Sequence, residues 1–185
     1  MARAGDVLEN PASGDRLVFR KTAAETDGEV LEYEITFLPS GFATRDHVHP
    51  RQQERHEVVE GALGISVEGR ERRLGPGDVE VVPPNTRHRV FPLVDEPVRV
   101  VFESRPALET EVLLETVFGL ARDGKVNTKG NPGLLQLAVI FRDLHDVGYP
   151  TRPPLHVQRA LFAPLAALGR LRGYRARYPQ YSGGA

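Results

Sequence analysis

The chain is expected to be mainly β, a sandwich or barrel of short strands followed by a C-terminal α-helical extension. Three observations predict this. From Arg16 to about Arg105, short runs rich in Val, Ile, Phe and Tyr recur, several alternating apolar with polar. Turn signals separate them: Pro39-Ser40-Gly41, Glu68-Gly69, Gly75-Pro76-Gly77, Pro83-Pro84-Asn85 and Asp95-Glu96-Pro97. After Pro106 the apolar residues take up helical spacing.

Residues 1–15, MARAGDVLENPASGD, are polar and carry Gly, Pro and Asn, which predicts an irregular N-terminal segment; they lack the apolar core of a signal peptide. Residues 16–105 form the expected β domain. Its strands are read in DRLVFRKT, EVLEYEITFLP, LGISVEGRERRL, DVEVVPP, HRVFPLV and VRVVFESR. Evenly spaced short strands of this kind point to a sandwich or barrel. Residues 106–185 form the expected helical extension. ALETEVLLETVFGLARDG places Leu108, Val112, Leu113, Thr116, Val117 and Leu120 on one face, with a start near Ser104 and Pro106. PGLLQLAVIFRDLHDVG predicts a second helix, apolar on nearly all sides. PLHVQRALFAPLAALGRLRGY predicts a third, kinked or broken at Pro164.

The 185 residues are 40% hydrophobic, enough for a packed core. A formal net charge of -1 argues against a nucleic-acid binder, which would carry a basic excess. With no cysteine there is no disulfide, thiolate zinc site, iron–sulfur cluster or cysteine nucleophile. No apolar run reaches membrane-spanning length, and a soluble, cytoplasmic protein is expected.

The chemistry concentrates in GFATRDHVHPRQQERHEVVEG, residues 41–61, which holds three of the six histidines. Alternate strand residues share a face, so His47 and His49 can point inward together, as can Glu54 and His56; Glu57 has the opposite parity. If the turn through Pro50-Arg51-Gln52-Gln53 sets two antiparallel strands side by side, these four side chains converge. His88 can close the group from a third strand. Three neutral imidazoles and one carboxylate suit a divalent Fe, Mn, Ni, Co, Cu or Zn ion and leave coordination positions open. His56 is read three ways: a packed, hydrogen-bonded residue, an extra ligand, or a catalytic proton-transfer group, the role its titration range suits. His145 and His156 are assigned to ordinary surface or packing roles. Arg87 and Arg89, flanking His88, should face away from the group.

These residues resemble the cupin superfamily. Gly41, His47, His49, Glu54 and Gly61 fit the first cupin motif without spacing error, and Gly77, Pro83 and His88 fit the second. Asn85 stands where the second motif has its second glycine, and Pro92 where it has asparagine. Asparagine tolerates a left-handed backbone best after glycine, and Pro84-Asn85 suits the centre of a type II turn. The helical segment is similar to the C-terminal extension of some bacterial single-barrel cupin proteins. The resemblance, over residues 16–105, implies a cupin double-stranded β-helix (jelly roll) barrel and a metal held by His47, His49, Glu54 and His88. It also implies a homodimer. The expected function is a metal-dependent, oxygenase-like enzyme acting on a small organic molecule. A metal-dependent isomerase or lyase, or a non-catalytic small-molecule binding or sensing protein, stands as the alternative. The basic, apolar third helix admits one further partner, an anionic membrane surface.

Overall fold

Strict alternation builds the barrel wall. The computed structural model describes residues 2–39, 44–93 and 96–182. Ser40, Gly41 and Asp95, read above as motif and turn positions, lie outside the described residues. In β3 (Leu31–Phe37), Leu31, Tyr33, Ile35 and Phe37 are buried while Glu32, Glu34 and Thr36 are not. The chain order around it is β1 (Val7–Glu9), β2 (Arg16–Lys21), then β3, β4 (His47–Val48), β5 (Gln53–Glu60) and β6 (Leu63–Val67). β7 (Arg70–Leu74), β8 (Val79–Val82), β9 (His88–Pro92) and β10 (Val98–Arg105) complete the β half. The helical half holds α1 (Thr110–Arg122), α2 (Leu134–Asp143), the two-residue strand β11 (Tyr149–Pro150) and α3 (Leu155–Leu171).

Two antiparallel sheets face each other in a jelly roll. One runs β1-β2-β3-β10-β5-β8, the other β11-β4-β9-β6-β7. Leu17, Phe19, Leu31, Val58, Leu63, Ile65, Val98 and Val100 fill the space between them, each at most 1% exposed. Each such side chain contributes about 1.5–3 kcal/mol relative to exposure. Gly61 ends β5 because only glycine fits there: its φ is +80°, and a Cβ would stand 2.7 Å from the Pro97 carbonyl oxygen. The interior is graded along its length. On β5 the inward residues run Glu54, His56, Val58, and opposite them on β10 run Ser104, Phe102, Val100. One end of the barrel is therefore polar and the other apolar.

Five expectations need correction. Within the segment read as irregular, Val7–Glu9 forms β1 and pairs with β2; three residues are too few for a periodic signal. The His-x-His strand does not pair with the Glu-x-His strand: β4 pairs with β9 and with β11, while β5 lies in the opposite sheet between β10 and β8. The first helix begins at Thr110, because β10 carries its pairing with β5 through Arg105. It also has two buried faces. Leu114 and Phe118 meet the barrel core, and Leu113, with Leu108 just ahead of the helix, the helical core. Finally, of the kink or break expected at Pro164, the break is absent, since α3 continues through that residue.

The helices have a core of their own, formed by Ala138, Val139, Ile140, Leu144, Val147, Ala166 and Ala176, with Phe141 stacked on Phe162 at 6.0 Å. On α3, Leu161, Leu168 and Leu171 stay exposed. No described helix is long and apolar enough to cross a membrane.

Candidate metal centre

Side chains from both sheets meet at the polar end of the barrel. His47 on β4 stands in register with His88 on β9, and their rings lie 4.2 Å apart. His49 follows β4, and its carbonyl accepts the Asn85 N–H at 2.8 Å. Asn85 has φ 63°, the left-handed conformation read from the Pro84-Asn85 turn. Glu54 and His56 reach in from β5 on the far side. The convergence comes from opposing sheets across the interior, not from one hairpin.

One donor atom each from His47, His49, Glu54 and His88 lies within 4.8 Å of the others. Glu54 is the hub. Its Oε2 stands 3.0 Å from His88 Nε2, 3.4 Å from His49 Nε2 and 3.4 Å from His56 Nε2. Donors about 2.1 Å from a shared ion sit about 3.0–3.5 Å apart on a coordination edge, which the Glu54–His88 and Glu54–His49 separations match.

The outer nitrogens settle the tautomers. His47 Nδ1 donates to the Arg45 carbonyl at 2.7 Å, His88 Nδ1 to the Thr86 carbonyl at 3.0 Å, and His49 Nδ1 to the Val147 carbonyl. A carbonyl only accepts, so each Nδ1 carries a proton, and a ring that gives up its Nε2 proton is left with the Nε2 lone pair as its donor. Metal-ligating histidines are oriented in this way by their surroundings. The donor set fits a divalent transition metal.

Electrostatics agree with a site built for positive charge. Burial would raise the Glu54 carboxyl, but the charge of His49 and the hydrogen bonds of His56 and His88 outweigh it and hold it well below the usual carboxylate range. Burial pushes His47 down to about 3, helped by neighbouring His49 and His88, so its ring stays neutral. Burial also pulls His88 down, yet its hydrogen bond to Glu54 and that group's charge leave it above 6.5. Below that raised value His88 of the metal-free protein is an imidazolium that donates Nε2–H to Glu54, and a metal must displace this proton. Proton release on metal binding is expected to approach about one per ion near pH 6 and to fall as pH rises through the raised His88 value. The dependence of binding heat on buffer ionisation enthalpy measures this. Release that is flat or increases with pH would contradict it.

His56 lies beside the quartet. It is 1% exposed, its ring is edge-on to Phe102 at 4.9 Å, and its Nδ1 makes no hydrogen bond among the described residues. Glu57 faces outward and pairs with Arg55 at 2.7 Å. Arg89 also faces outward, to Glu71 at 2.6 Å. His145 is exposed beside Asp146.

Sequence reasoning missed three contributors. Ser104 donates to Glu54 Oε1 at 3.5 Å, a partner that its inward parity opposite Glu54 could have revealed. Tyr33, stacked on Phe102 at 5.2 Å, has its phenol raised well above 10 by burial and by the charge of Glu54. It stays protonated as a donor. The Val147 carbonyl has no signature in sequence at all.

With the geometry established, comparison places the domain. Residues 33–102 match a family model described as a cupin domain, so this part of the chain is a cupin domain. No curated protein matches the chain. Among solved structures, it is similar to KdgF from Halomonas sp., at 25% identity over 54% of this chain and 86% of that one, with a TM-score of 0.47. It is also similar to an RmlC-like cupin from Shewanella frigidimarina, at 25% identity over 57% of this chain and 87% of that one, TM-score 0.48. A third is the DMSP lyase DddQ from Ruegeria pomeroyi, at 28% identity over 44% of this chain and 41% of that one, TM-score 0.39.

Proposed function

We propose that His47, His49, Glu54 and His88 hold one divalent transition metal, and that the protein is a metal-dependent enzyme acting on a small organic molecule. Oxygenase-like chemistry is the leading activity and isomerase or lyase chemistry the alternative. The observation that carries the reading is the tethering of three imidazoles through Nδ1 to backbone carbonyls, with His49 Nε2 and His88 Nε2 beside the buried Glu54 carboxylate. A carboxylate and three neutral rings sum to one negative charge, so a divalent ion would keep net positive charge and act as a Lewis acid with open positions. The residues around it hold the rest of the chemistry. Glu54 stays ionised, Tyr33 stays protonated, and His56 offers an unpaired nitrogen for a substrate proton. Phe102 and Tyr33, buried and stacked on each other, form an apolar wall of the interior.

The test is metal-free protein reconstituted with Fe, Mn, Ni, Co, Cu or Zn and assayed for oxygen uptake and for turnover of small anionic and enolisable compounds. Metal-dependent turnover supports the reading. Stoichiometric metal binding without turnover across the panel would reduce the protein to a binding or sensing module.

A further inference from the structure

We propose that residues Val147–Thr151 form a strap that completes the metal centre from the helical extension, so that docking of the extension and metal occupancy are linked. The inference rests on the metal reading above. The three histidine ligands are not held alike. His47 and His88 find their carbonyl acceptors two residues back on their own strands, at Arg45 and Thr86. The barrel sets these rings by itself. The acceptor for His49 is Val147, 98 residues away, on the far side of α1 and α2.

That carbonyl is firmly placed. The Val147 side chain is 2% exposed within the helical core, beside Leu144 and Ile140. Its N–H donates to the Leu144 carbonyl at 3.0 Å, at the end of α2. The next residues then run along the barrel edge. Tyr149 pairs with Val48 and Pro150 with His47, and the Thr151 N–H donates to the Asp46 carbonyl at 3.0 Å. The strap also lies close against the ligand. A Cβ on Gly148 would stand 3.2 Å from both Cε1 and Nδ1 of His49 and 3.3 Å from the Val48 carbonyl oxygen. Glycine permits this approach; alanine would force the ring and strap apart by a few tenths of an ångström.

Without the strap, the His49 Nδ1–H loses its acceptor, and neither tautomer nor ring angle is fixed. Loss of such an outer partner lowers metal affinity about 10–100-fold. Linkage is reciprocal, so a bound metal favours the docked strap by the same factor.

The experiment uses the full chain and zinc alone, with three readouts. For Gly148→Ala, competition against a chelator is expected to show zinc affinity about tenfold lower or more. Arg170→Ala, which removes an ion pair to Asp143 elsewhere in the helices, is expected to bind as the natural chain does. ¹⁵N NMR of the metal-free natural chain is expected to show His49 protonated on Nδ1, with tautomers mixing in Gly148→Ala. Hydrogen exchange at the Thr151 amide is expected to slow about 10–100-fold when zinc saturates the natural chain. The last two readouts on the natural chain decide the matter even if Gly148→Ala does not fold. Zinc binding with Thr151 exchange unchanged would overturn the strap and leave the metal reading intact. A natural chain that binds no zinc removes that reading, and His49 protonated on Nε2 would then overturn the strap independently.

Discussion

Substituting His49→Ala is expected to strip the protein of metal. The natural chain, purified without added metal, should hold about one ion per chain, as a single four-donor site implies; the variant should hold almost none. His49 is 9% exposed, and its Nε2 is 3.4 Å from Glu54 Oε2. Alanine removes one of three nitrogen donors and opens a void that water can enter. It also removes the group whose charge does most to hold Glu54 ionised. The carboxyl is then expected to titrate at higher pH, so protons compete better for a second ligand. The affinity loss should exceed the roughly hundredfold ceiling for an outer partner, because a donor itself is gone. Elemental analysis of both proteins measures it. Equal metal content would mean that the ion sits elsewhere.

Substituting His56→Phe is expected to separate chemistry from metal binding. The donors within 4.8 Å of one another belong to His47, His49, Glu54 and His88, while His56 stands beside them with Nδ1 unpaired. Phenylalanine keeps a ring against Phe102 and removes both nitrogens. Metal content should stay near that of the natural chain. Turnover of a substrate identified by the reconstitution assay should fall about 10²–10⁴-fold, the usual worth of a positioned proton-transfer group. Stability should change little, because the substitution removes one hydrogen bond to Glu54 together with an unpaired buried nitrogen costing about 1–3 kcal/mol. Unchanged turnover would assign His56 to packing, and lost metal would make it a ligand.

The parity of inward residues was legible in the sequence, because a strand's period of two needs no tertiary information. Glu54 and His56 do face inward while Glu57 faces out. The hairpin at Glu68-Gly69 and the left-handed Asn85 were legible for the same reason: both are local backbone requirements. Strand partners were not. Nothing between His49 and Glu54 reveals that the chain crosses from one sheet to the other, since a short turn suits a hairpin equally well. The strap was least visible, because it acts through a backbone carbonyl and a two-residue strand. Periodicity reads side chains, so the Val147 contact across 98 positions leaves no pattern to find.

X-ray absorption of the natural chain loaded with one equivalent of cobalt(II) decides whether His47, His49, Glu54 and His88 share one ion. Saturation is expected at about one ion per chain, with imidazole scattering from three rings and light oxygen neighbours at about 2.0–2.2 Å. A spectrum with oxygen neighbours alone, or cobalt removed by simple gel filtration, would contradict it.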